Sequence, residues 1–416
     1  MVTQAAAQSQ PQGRALPSLI QQECRSSWEH VQAASTIDPF RSLLEEALCA
    51  DTKRCIQECI ASPQAVLQRR AEASASLCAI ASGLEPARRK WAAALPDHSP
   101  ARNFHLPLIQ HLVTTLKYQD SALTYDLANG MPIAGDIPHT AGLTERPKAA
   151  RQTLEQWRAE TPTRNLAVIE RVRKSQGTPL GNLCWEESQK EFQRGWLSPP
   201  VPLTDHMAKN TPLTPRYLIE QPGPTETKTR LIDDFKASGI NGILTTADTN
   251  IPDNLDKFLA VTAYHKTLDP SVDLLAFSVD YKHAYKHVGI CRGQDEFASI
   301  LIAPPEGDLL VTQLRVLPFG SRRSPSNWAR VTLFVQWVLL KLFRVVLAVY
   351  VDDGFCSEPG LTCRSAINRV FAKCYRFFLG VISTVSPSRT HYGFFLLALL
   401  ACFRLKRKIL SREHSH

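Results

Sequence analysis

Three acidic residues carry the chemistry this sequence is best suited to do. Asp280 closes the apolar run LLAFSVD, and Asp352 and Asp353 follow the apolar run VVLAVYV. Asp280 and Asp352 are 72 residues apart (352 − 280). If the two runs are neighbouring strands, the carboxylates converge at one strand end. Adjacent carboxylates repel, and burying them without neutralisation is costly. Converging oxygens of this kind suit hard divalent cations such as Mg2+. A pair of such ions about 3.5–4 Å apart can clamp the attacking and leaving oxygens of an in-line phosphoryl displacement. The plain alternative is a solvated DD turn, with Asp280 an ordinary strand-end residue. Either acid run alone is a weak signal; two together are a stronger one.

The surrounding patterns supply elements to hold these acids. TRLIDDF (229–235) is a short strand pattern ending in charge. LLAFSVDY (274–281) is a continuous apolar strand, and DLLVTQLRVLP (308–318) is a strand or hairpin arm. SPSNWARVTLFVQWVLLKLFR (324–344) has helical periodicity and a Ser start signal, and VVLAVYVDDGF (345–355) is a strand that turns on its two aspartates. Helices and strands mix without strict βαβ alternation, which predicts an α+β fold. Between the acid-bearing strands lies Leu317-Pro318-Phe319-Gly320, where Gly320 permits close backbone approach to a ligand. From Leu309 to Val351 there is no acid, yet Arg315, Arg322, Arg323, Arg330, Lys341 and Arg344 occur. One-signed charge beside a carboxylate cluster suits a polynucleotide track, and a solvated basic face is the alternative. Upstream, Lys228 and Arg230 form a basic pair able to grip a triphosphate, Arg bidentately and Lys as a point charge.

Bulk properties agree with a nucleic-acid partner without demanding one. The 416-residue chain carries a net charge of +9, is 44% hydrophobic and is long enough for several compact units. Its eleven cysteines follow no repeat and form no C-x2-C pair, which excludes a readable zinc ribbon or knuckle. Unpatterned cysteines point to a reducing compartment, cytosol or nucleus. The N-terminus lacks the build of a signal peptide. Val331 to Tyr350 is strongly apolar, but Lys341 and Arg344 near its centre would be penalised in a bilayer. A buried helix feeding a buried strand explains it better, and no stable membrane association is expected. The apolar stretch 392–403 is too short to span a bilayer.

Four stretches, in order, carry a family resemblance: KTRLIDDFKASGIN, FSVDYKHAYKHVGI, LPFGSRRSP and YVDD. They resemble the successive motifs of reverse transcriptases, over about 210–360, and most closely those of retroelement Pol proteins of DIRS-like and LTR-type groups. The resemblance implies a right-hand polymerase core, with an antiparallel palm sheet and packed helices. It implies Asp280, Asp352 and Asp353 as catalytic residues holding two Mg2+ ions, with Mn2+ able to substitute. It implies that Lys228 and Arg230 contact the triphosphate. Tyr285, five residues after Asp280, matches an aromatic gate against the ribose 2′-OH, and Gly320 matches a motif glycine near template and incoming nucleotide. Arg322 and Arg323 stand where small or apolar residues are usual, and with Arg330 they are expected to bind nucleic acid. The implied partners are an RNA or DNA template with its primer, and dNTPs.

The expected organisation follows. Residues 1–100 form a helical, partly disordered N-terminal region without evident chemistry, and 101–160 a helical segment and loop. Fingers and palm occupy 161–360, with fingers at 161–260 and 288–318 and palm at 261–287 and 319–360. Proline-rich 196–226 reads as a linker or extended arm. Residues 361–416 show no clear thumb, although FFLGVI (377–382) is faintly like later palm motifs. Two other functions stay open: a truncated or decayed retroelement fragment that only binds nucleic acid, and an RNA-dependent RNA polymerase. The second needs room for a 2′-OH, which Tyr285 would deny.

Overall fold

The computed structural model describes residues 48–222, 227–253, 255–281 and 283–367, and the backbone of 384–388. The segment FFLGVI and the apolar stretch 392–403 lie outside the described residues. Helices come first: α1 (Ala50–Ala61), α2 (Pro63–Ala94), α3 (Leu106–Thr115) and α4 (Leu123–Asn129). Strands β1 (Asp136–Ile137) and β2 (Thr144–Lys148) precede α5 (Leu154–Ala159), α6 (Thr161–Ser175) and α7 (Pro179–Gln193). Next are β3 (Val201–Pro202), α8 (Asp205–Asn210), β4 (Thr214–Pro222), β5 (Thr227–Asp233), β6 (Thr245–Thr249) and α9 (Leu255–Leu268). The order continues with β7 (Leu274–Asp280), β8 (Ser299–Ile302), β9 (Leu310–Gln313) and α10 (Ser324–Phe343). It ends with β10 (Ala348–Tyr350), β11 (Asp353–Pro359), α11 (Gly360–Ser365) and β12 (Thr384–Ser388). The fold is α+β.

Three sheets organise these strands. One runs β10-β11-β7-β12 and is antiparallel throughout. A second runs β3-β9-β8-β4-β5, with β4 and β8 parallel. The third runs β1-β6-β2. The stretch 196–226, expected as a linker or extended arm, holds β3, α8 and β4; its prolines fall mostly outside or near the ends of these elements. β12, from the expected remnant or atypical tail 361–416, adds an edge strand to the first sheet along β7.

Helix α10 is the centre of the main core. Trp328, Val331, Val335 and Val338 recur at helical spacing and are buried, as are Phe334 and Leu339. Arg344 closes the helix in the left-handed conformation (φ 52°), its N–H bonded to the Leu339 carbonyl. The expected Ser start lies one residue inside: Arg323 is the N-cap, and Pro325 follows in the first turn. Val331–Tyr350 thus divides into buried helix and buried strand. Among the described residues no helix is long and apolar enough to cross a membrane.

Helices α1 and α2 are fastened to this core. Arg70 on α2 is fully buried and makes a fork to Glu358 on β11, at 2.7 and 3.0 Å. The same guanidinium donates to the carbonyls of Phe343, Arg344 and Thr362 at 2.7–2.9 Å. On α1, Cys55, Ile56 and Cys59 share one buried face with Ala260, Val261, Tyr264 and Val346. Asp51 and Glu58 on α1 pair with Lys341 and Arg344.

Candidate active site

The acid-bearing strands pair directly. β7 and β11 are antiparallel, with Asp353 opposite Asp280. The β10–β11 hairpin turns on Val351 and Asp352, with Tyr350 opposite Asp353. Directly opposed residues project from the same face of a sheet, so Asp280 and Asp353 share a face. The Tyr281 N–H donates to the Asp352 carbonyl at 3.1 Å, which ties the turn to the end of β7. Asp280 is exposed; Asp352 and Asp353 are half-buried. Two apolar strands therefore bring three carboxylates, 73 residues apart in sequence at the widest from Asp280 to Asp353 (353 − 280), to one end of the sheet. Among the described residues, no group of three or more His, Cys, Asp or Glu side chains is gathered closely enough to hold a metal ion. The aspartates share a strand end without forming a closed ligand cage.

The turn itself is under strain. Val351 has φ 57°. A β-branched residue resists that region, at about 1–3 kcal/mol, and such strain persists only where surrounding structure over-determines it. Here the two-residue connection and the strand pairing on both sides impose it.

Tyr285 lies in a short 3-10 turn, Ala284–His287, just past β7. Its ring is buried and meets Phe319 of the Leu317–Gly320 loop at 4.9 Å between centroids. Burial, and then the charge of Asp352, push its phenol well above the usual tyrosine range. The loop is hung from the same segment, because Leu317 N–H donates to the Val288 carbonyl at 2.9 Å. Gly320 has φ 110°, and a Cβ there would meet the Asp233 carbonyl oxygen at 2.1 Å. The close approach that Gly320 permits is thus to the β5 backbone. Asn241 holds the loop from the other side, donating to the Gly320 carbonyl and accepting from Arg322 N–H, both at 2.9 Å.

Lys228 and Arg230 lie two apart on β5, both exposed. They belong to the second sheet, not to the sheet that carries the aspartates. The expected arginine track divides. Arg322 is half-buried and donates to the Asn241 carbonyl at 2.9 Å. Arg323 is 1% exposed and pairs with Asp248 at 2.5 Å. Arg330 is 4% exposed and pairs with both Asp120 and Asp126. Arg323 and Arg330, expected to bind nucleic acid, have guanidinium groups committed to carboxylates inside the fold. Lys341 and Arg344 are likewise paired, with α1.

A charge network beside Tyr285 was not visible in sequence. Lys286 is buried and pairs with Glu191 on α7 at 2.9 Å. Glu191 also receives Arg216 at 2.8 Å, and Arg216 makes a fork to Asp233 at 2.7 and 3.1 Å. Burial works to raise the Glu191 carboxyl, but Arg216 and Lys286 hold it down at about 2. The network links β4, β5 and α7 to the turn that carries Tyr285. Its one sequence signal is that Lys286 follows Tyr285 directly.

Compared with known proteins, the chain matches no family model and no curated protein.

Proposed function

We propose that this chain is a template-directed DNA polymerase of the reverse-transcriptase kind, adding dNTPs to a primer 3′-end. The observation that carries this reading is the register that sets Asp353 opposite Asp280, with Asp352 in the adjoining turn. Facing carboxylates on one face repel, and a hard cation would relieve that repulsion. The donors are all oxygens, the ligand type that Mg2+ takes, with Mn2+ a workable substitute. Asp280, Asp352 and Asp353 would hold two ions, which when bound supply charge stabilisation to the attacking and leaving oxygens of phosphoryl transfer. Lys228 and Arg230 supply an exposed basic pair for a triphosphate. Tyr285, wedged against Phe319, presents a rigid ring that excludes a 2′-OH by contact and so favours deoxynucleotides.

A second reading is a fragment that binds nucleic acid without catalysis. It draws on the open arrangement of the aspartates, which makes no closed ligand group among the described residues. Primer extension on RNA and DNA templates, with Mg2+ or Mn2+ and an EDTA control, separates the two. Metal-dependent extension that Asp280→Asn or Asp352→Asn abolishes supports the polymerase. Oligonucleotide binding with no extension under any condition establishes the second reading. Extension that prefers rNTPs would restore the RNA-polymerase alternative.

A further inference from the structure

We propose that strand β2, together with Arg151 and Arg322, is a docking surface for the phosphodiester backbone of a nucleic-acid strand; this deepens the polymerase reading by giving the strand a path outside the carboxylate edge. β2 reads TERPK, and all five of its residues are exposed. It carries Arg146 and Lys148, and Arg151 follows, also exposed. β2 is held along β6, with Lys148 opposite Thr246. Two neighbouring residues of one turn gather the other cations. The Arg151 N–H donates to the Gly242 carbonyl at 2.7 Å, and the Arg322 guanidinium donates to the Asn241 carbonyl at 2.9 Å. Four cations from two stretches of the chain, 146–151 and Arg322, therefore meet at one place.

Their charge is not compensated within the described structure. Arg323 and Arg330, close by in sequence, are buried in ion pairs. Among the described residues, none of Arg146, Lys148, Arg151 and Arg322 stands in such a pair. The single acid on β2 is Glu145, and its register partner Asp248 is occupied by Arg323 and by the Thr140 N–H. The crowding is felt: Arg322 beside it, then partial burial, Arg151 and Arg146, hold the Lys148 ammonium below the usual lysine range. Uncompensated like charges destabilise the folded chain. A polyanion removes that repulsion, and its binding is driven by release of counterions from successive phosphates. Nucleic acid is favoured over an anionic membrane because Arg322 lies two residues past Gly320, at the end of the loop whose Phe319 meets Tyr285 of the candidate site.

The test uses the full chain and labelled oligonucleotides of mixed sequence, single-stranded and duplex, across a salt series. The variant Arg146→Gln/Lys148→Gln/Arg151→Gln removes three exposed charges and spares the residues of the candidate active site. Each phosphate contact adds about 0.7 to the log–log salt slope on single strands and about 0.9 on duplex. The expected result is a slope lower by roughly 2–3 and affinity lower by at least about tenfold at low salt, with little dependence on sequence. Glu145→Gln is expected to tighten binding. Thermal melting of the triple variant should equal or exceed that of the wild type. A wild-type chain that binds, with slope and affinity unchanged in the triple variant, overturns the proposal. So does binding to phosphatidylserine vesicles without binding to oligonucleotide. If the wild type extends primers while the triple variant binds unchanged, this surface fails and the polymerase reading stands. If the triple variant loses its slope and no chain extends a primer, the surface stands and the polymerase reading fails.

Discussion

Asp353 stands opposite Asp280 across the β7–β11 pair, on the same face of the sheet. Like charges directly opposite one another weaken a sheet by roughly 0.2–1 kcal/mol. The expected consequence is an opposed effect on stability and activity. In EDTA, Asp353→Asn should be as stable as the wild type or more so, by up to about 1 kcal/mol in denaturant unfolding. Adding Mg2+ should stabilise the wild type and leave the variant unmoved. A variant less stable in EDTA, or stabilised by Mg2+ as the wild type is, would show that the facing pair does not bind the ion.

Tyr285 packs on Phe319 and feels the charge of Asp352. Tyr285→Ala should raise the ratio of ribonucleotide to deoxynucleotide incorporation at least tenfold, through loss of a clash. It should also cost about 3 kcal/mol of stability, through the cavity left beside Phe319. Tyr285→Phe keeps the ring and should keep the sugar preference. An unchanged ratio in Tyr285→Ala, measured in a variant shown to be folded, would make the residue a packing residue alone.

Much of this site is legible in sequence, because the two acid-bearing strands announce themselves. Each is a continuous apolar run ending in carboxylates, and such runs keep their meaning in the fold. Arg323 and Arg330 illustrate the opposite case. Their partners, Asp248, Asp120 and Asp126, lie 75 to 210 residues away in sequence, so local charge patterns make an internal ion pair look like a basic track. The helices of 50–94 hid their role for a similar reason. Nothing local to Arg70 marks Glu358, 288 residues on, as its partner.

The Arg70–Glu358 pair gives a direct stability test. Arg70→Met leaves Glu358 buried beside a helix end without its cation. Loss of one partner of a buried pair costs about 3–5 kcal/mol. Chemical denaturation should show that loss, and the double variant Arg70→Met/Glu358→Leu should recover most of it. If Arg70→Met is neutral, α2 is not anchored through this pair.

Glu191 sets a pH dependence. Its carboxyl is held at about 2 in the fold, against an ordinary value of 4.5. A depressed carboxylate stabilises the fold above its unfolded pKa and loses that contribution as pH falls through the folded value. The window is therefore pH 4.5 down to about 2. Glu191→Gln should be several kcal/mol less stable than the wild type at neutral pH, with the gap closing across that window. A gap independent of pH would show that charge is not what Glu191 contributes.

The long reach of α2 has a consequence during synthesis. Arg70 and its partner Glu358 are 288 residues apart. At about 5–20 residues per second, α1 and α2 leave the ribosome tens of seconds before the strand and helix end they clasp. Until α9 is made, the stripe formed by Cys55, Ile56, Cys59 and Val66 lacks Ala260, Val261 and Tyr264, and until β10 approaches it lacks Val346. The nascent chain therefore presents an apolar helical stripe while the residues between α2 and α9 are made. A holdase that shields such surfaces during translation would determine how much of the chain reaches the folded state.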